Sequence, residues 1–137
     1  MRFETENEII EIVELFETAM LPHESWRHAE HLTVAMLYAL HYDFETALSK
    51  MRSGILKLND FHGVVTTNER GYHETLTVFW TKTVFDFVKA NLDKTLVEMA
   101  NEIIEKFDKD YPLKFYSRER LFAVEARYGF VEPDINN

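Results

Sequence analysis

The chain contains no cysteine, only three prolines and four glycines, and fewer basic than acidic side chains, 15 against 24. Without cysteine there are no disulfides, thiol nucleophiles or thiolate metal sites, so any metal would have to be held by nitrogen and oxygen. No stretch rich in glycine, serine or proline divides the sequence, and no internal repeat is visible. The net charge of −9 repels a phosphate backbone, so nucleic acid is not an expected partner. The longest stretch free of formal charge runs from His31 to Tyr42, short of the roughly 20 apolar residues a membrane span needs. The start, Met1-Arg2-Phe3-Glu4, turns acidic early and lacks the apolar run of a signal peptide. A membrane partner is therefore not expected, and the expected compartment is the cytoplasm.

What is present suits an ordinary globular chain. Its 137 residues are 46% hydrophobic and 28% charged, enough for one domain over 1–137 that buries roughly two thirds of its unfolded surface without a metal or crosslink. Eleven Phe, six Tyr and two Trp can fill a core or wall a pocket.

The hydrophobic spacing predicts an all-α bundle of about five helices with a short C-terminal helix and tail. The first helix runs from Glu6 to Leu21 on Ile9, Val13 and Phe16, stopped by Pro22. The second starts at Ser25 as N-cap and reaches Tyr42. Its middle, Leu32 to Leu40, has no charged side and should be the most buried part. Asp43 caps a third helix, to Leu58, in which Gly54 is a weak point. A long loop from Asn59 to Gly71 leads to a fourth helix, Tyr72 to Asn91. Asp93 then caps a fifth, Lys94 to Phe107, and Ser117 caps the last short helix.

Two of the six histidines lie three apart in Trp26-Arg27-His28-Ala29-Glu30-His31. On a helix this spacing puts both imidazoles on one face, within reach of a single ion. The second feature is Arg70-Gly71-Tyr72-His73-Glu74-Thr75-Leu76-Thr77, at the expected entrance of the fourth helix, where unpaired N–H groups favour anions. Adjacent helical residues point about 100° apart, so of His73 and Glu74 one should coordinate and the other support. Should the second and fourth helices pack together, His28, His31 and His73 converge as metal ligands with Glu74 as catalytic base or orienter. Three histidines suit a zinc that activates water. Two histidines and a carboxylate suit non-haem iron. Manganese is the third candidate.

Arg70 and Arg127 are candidates for meeting an anionic substrate, although the first expectation for Arg118, Arg120 and Arg127 is surface ion pairing. Trp26, Tyr72 and Thr77 are candidate substrate contacts because they flank the histidines. His41 should serve a helix end. His23 and His62 should face solvent, with His62 able to act as a lid.

In Trp26-x-His28-x-x-His31-Leu32-Thr-x-Ala35 and Gly71-Tyr72-His73-Glu74-Thr75-Leu76-Thr77-x-Phe79-Trp80, the chain resembles a family of small bacterial proteins of uncharacterised function. The similarity extends to Phe115-Tyr116-Ser117, Ala126-Arg127 and Val131 to Asp134. The resemblance implies that His28, His31, His73 and Glu74 matter together, with Arg127 among them, and implies no reaction.

Two functional readings follow. One is a metal-dependent site, possible for a hydrolase, on His28, His31, His73 and Glu74. The other is a non-enzymatic module that binds a small molecule or partner, with the histidines in a buried polar network. A homodimer through the first helix, where Ile12 and Leu15 lie outside the main stripe, is a third option.

Overall fold

Helix α1, Glu6–Glu17, begins with a reciprocal cap: the Glu8 amide donates to the Thr5 hydroxyl and the Thr5 amide to the Glu8 carboxylate. This is seen in a computed structural model that describes residues 2–135. Ile9, Val13 and Phe16 form the buried face of α1. The helix ends before Leu21, and Pro22 does not stop it. Ala19 turns left-handed (φ 57°), and the amides of Met20 and Leu21 both close onto the Leu15 carbonyl.

A single 3₁₀ turn, His23–Ser25, precedes α2, His28–His41. Ser25 is therefore not the cap. Arg27 occupies that position, and its amide donates to the Glu30 carboxylate. Glu30 is itself buried and ion-paired with Arg2. As expected from its uncharged middle, α2 is the central helix, buried from Leu32 through Met36 and again at Tyr38 and Ala39. It packs against α1 and against the three long helices that follow, most extensively against α4.

Helix α3, Phe44–Phe61, is capped by Asp43 and outruns the expected end by three residues. Gly54 has a packing role here: a methyl at that site would stand 2.3 Å from the Phe16 ring, so the missing side chain is what lets α3 approach α1. Helix α4, Glu74–Ala90, starts two residues later than expected, with His73 as N-cap. Helix α5, Leu96–Lys106, is capped by Thr95 and Glu98 rather than by Asp93. The last expected helix is two: α6, Arg118–Leu121, capped by Ser117, and α7, Val124–Tyr128.

Both ends of the described chain are tied down. Phe3 is buried and exchanges two hydrogen bonds with the Asn101 amide, at 2.8 and 2.9 Å. The tail returns along α4 and the 3₁₀ turn Tyr111–Lys114, where Tyr116 donates to the Val131 carbonyl and Asp134 accepts from Ser117. One continuous hydrophobic core takes in α1 to α5. The described residues include no strand and no helix long and apolar enough to cross a membrane.

Candidate functional site

The start of α2, the far half of α3 and the start of α4 enclose a cavity of about 260 Å³. His31 lines it from the first, with Trp26 just ahead of that helix; Ile55 and Asn59 line it from the second, and Leu76, Thr77 and Trp80 from the third, with Tyr72 and His73 just ahead of it. The loop adds Val64 and Gly71. Five of the residues expected from sequence to form a site therefore meet in one pocket: Trp26, His31, Tyr72, His73 and Thr77. His28, Glu74, Arg70 and Arg127 do not line it.

The three histidines have different roles. Nδ1 of His73 accepts the Leu76 amide at 3.1 Å, capping α4. A nitrogen that accepts carries no proton, so Nε2 holds it and donates to the Leu121 carbonyl at 2.8 Å. Both ring nitrogens of His73 are thus engaged. Burial, with the Arg127 charge adding to it, holds its proton affinity below the usual value, although the bond to Leu121 opposes this. His28 turns the other way, donating from Nε2 to the Phe107 carbonyl at 2.8 Å with its ring on the Trp80 edge.

His31 stacks on Trp26, with centroids 5.6 Å apart and planes 24° apart, and Trp26 stacks in turn on Phe16. Its Nε2 is out of contact with solvent and has no hydrogen-bond partner. Thr81 Oγ1, which does not line the pocket, is in the same position. Burial, helped by the nearby His28, pushes the His31 pKa down to about 4, so its ring is neutral at pH 7.

Glu74 sits behind the pocket wall. Arg52 of α3 forks onto it, Nε to Oε1 at 3.0 Å and Nη2 to Oε2 at 2.6 Å, and the Tyr72 phenol donates to Oε1 at 2.5 Å. The Arg52 bond is the main reason the Glu74 carboxyl stays below the usual carboxylate range. Burial, then the bond to Glu74, pushes the Tyr72 phenol up to about 12. A carboxylate this well satisfied is a poor proton acceptor, which is the opposite of what a general base requires.

The arginines are used structurally. Arg127 of α7 donates from Nη1 to the carbonyls of Gly71 and Tyr72, both at 3.1 Å, and fixes the pocket's lip. Arg120 donates to the Glu132 carbonyl. Among the described residues neither Arg120 nor Arg127 forms the surface ion pair expected for this cluster. Arg70 is exposed in the loop turn. His62 donates to the Leu21 carbonyl and is half-buried instead of solvent-facing, whereas His23 is exposed as expected, and His41 stands in the last turn of α2, at the helix end expected of it.

Sequence reasoning missed Arg52, Asn59 and the lining role of Ile55 and Val64. For Arg52 the one available signal was Glu74 itself, a carboxylate in an aromatic setting that needs a cation from somewhere. Among the described residues, no three His, Asp or Glu side chains are grouped so as to hold a metal ion. Comparison of the chain with protein families, curated proteins and solved structures gives no match. The class that fold and site define is an all-α bundle with an aromatic-walled pocket at the entrances of its two central helices.

Proposed function

We propose that the chain is a small-molecule-binding helical module, with the pocket between α2, α3 and α4 as its binding site. The observation that carries this reading is His31, whose ring lines a preformed aromatic cavity while its buried Nε2 has no partner. Leaving a buried polar atom unpaired costs about 1–3 kcal/mol, so each such atom calls for an explanation, and a ligand supplies one for His31. The engagement of both His73 nitrogens, of His28 Nε2 and of Glu74 supports binding over metal-dependent hydrolysis, because the atoms a metal would need already have protein partners. At about 260 Å³ the site suits a fragment-sized ligand, smaller than a drug-sized one.

Ligand-observed NMR with a diverse aromatic fragment set, on the wild type and Val64→Trp, tests this. Val64 lies on the loop and lines the cavity, so the larger ring fills the site without a substitution inside any helix. The expected result is binding to the wild type that weakens at least tenfold in the variant. An absence of hits, or hits indifferent to the substitution, overturns the proposal.

A further inference from the structure

His23 and His62 do not line the pocket, yet their rings lie together at the surface, with centroids 5.6 Å apart and planes at 65°. They come from distant parts of the chain: His23 opens the 3₁₀ turn ahead of α2, and His62 caps the end of α3. A backbone carbonyl can only accept, so the 2.8 Å bond to Leu21 fixes the His62 proton on Nε2. In the neutral ring the lone pair is left on Nδ1. The Phe61 ring is in edge contact with His62. The His23 ring is exposed and makes no hydrogen bond among the described residues, so it can turn to offer either nitrogen. One imidazole is thus held in place and the other can adjust to it.

Two imidazoles that share one ion at about 2.0 Å have centroids roughly 4.5–6.3 Å apart, depending on the angle at the metal. The observed separation falls inside that range. Among the described residues no third His, Asp or Glu completes a ligand group, so water would fill the remaining positions. This is one protein ligand short of the usual open zinc site. It suits the tetragonal nitrogen and oxygen coordination of copper(II) and nickel(II), with copper the tightest binder of the divalent first-row series.

We infer that His23 and His62 form a two-imidazole site for a divalent copper or nickel ion, through Nδ1 of His62 and either nitrogen of His23. The site is separate from the pocket but adjoins its walls in sequence. His23 lies in the turn that leads into Trp26, His62 precedes the loop that carries Val64, and Trp26 and Val64 both line the cavity. A bound ion therefore ties together the segments that bring those two residues to the cavity.

Titration of the untagged full chain with Cu²⁺ at pH 7, with the histidine ring signals followed by NMR, tests this in the wild type, His23→Ala, His62→Gln and His41→Ala. His23 is exposed, so its removal spares the core, and His62→Gln keeps a donor for the Leu21 carbonyl. His41, exposed at the end of α2, is the control. The expected result is that the paramagnetic ion broadens the signals of His23 and His62 first, and that each of the first two substitutions weakens binding at least tenfold while His41→Ala leaves it unchanged. A loss in only one of the first two shows a single-imidazole contact and overturns the inference. Broadening that begins elsewhere, at His41 or the amino terminus, overturns it as well, and so does the absence of binding below millimolar copper.

Discussion

His31 shows how one side chain can set a protein's pH response. In the unfolded chain its imidazole titrates at the ordinary 6.5, and in the fold at about 4. Between those values the unfolded state binds the extra proton, so stability is full above pH 6.5 and falls as the pH drops toward 4. The loss should be roughly 2 kcal/mol, below the fully buried limit because the residue keeps some exposed surface. His73, also shifted down, acts in the same direction. His31→Leu isolates the first contribution. Removing the orphan nitrogen relieves about 1–3 kcal/mol, and losing the stack on Trp26 offsets about 0.5–1.5 kcal/mol of that. The variant is therefore expected to match or exceed the wild type by about 1 kcal/mol at pH 7 in urea unfolding. Its advantage should grow as the pH is lowered to 4.5. A variant that loses 2 kcal/mol or more at pH 7 would show that Nε2 has a partner after all.

At the scale of the element, the close approach of α1 and α3 rests on Gly54. Alanine at this site gains up to about 1 kcal/mol of helix propensity, yet its methyl meets a fully buried Phe16 ring that stacks on Trp26. Overpacking of this kind costs typically about 1–3 kcal/mol. Gly54→Ala is therefore expected to destabilise by about 1 kcal/mol, and the penalty should shrink when Phe16→Leu makes room, a non-additivity readable in a double-mutant cycle. The same pair shows what the sequence could and could not reveal. Helical periodicity located every long helix, because each buries a stripe its own residues define. The caps at Asp43 and Ser117 were legible for the same local reason. The glycine's purpose was not, since Phe16 lies 38 positions away and no spacing rule links them. Arg52 and Glu74 are hidden likewise: they meet because α3 packs on α4. His73 was legible as a site residue but not as a cap, because its ring takes the place usually filled by Ser, Thr or Asp.

Across the whole molecule, the segment after α5 determines how firmly the pocket is held. Its contacts converge on the start of α4: His73 donates to the Leu121 carbonyl, Thr75 donates to the Gly129 carbonyl and accepts from the Val131 amide, and Arg127 holds the carbonyls of Gly71 and Tyr72. The loop that carries Val64 and Gly71 has few ties of its own, chiefly the turn between Thr67 and Arg70 and the bond from the Tyr72 amide to Thr66. Removing Arg127 should release the lip while leaving the core intact. Bonds from a charged donor are worth about 1.5–3 kcal/mol together with their geometry, but this pair is only half-buried, so Arg127→Ala is expected to lower global stability by about 1 kcal/mol. The larger effect should be local. Amide hydrogen exchange over 64–73 should speed up well beyond what the global change explains, because local opening is controlled by local ties. Ligand affinity should fall in parallel, since the bound state must then order a looser wall. Uniform acceleration of exchange through α1 and α5 as well would instead place Arg127 in the general stability of the bundle and remove its link to the pocket.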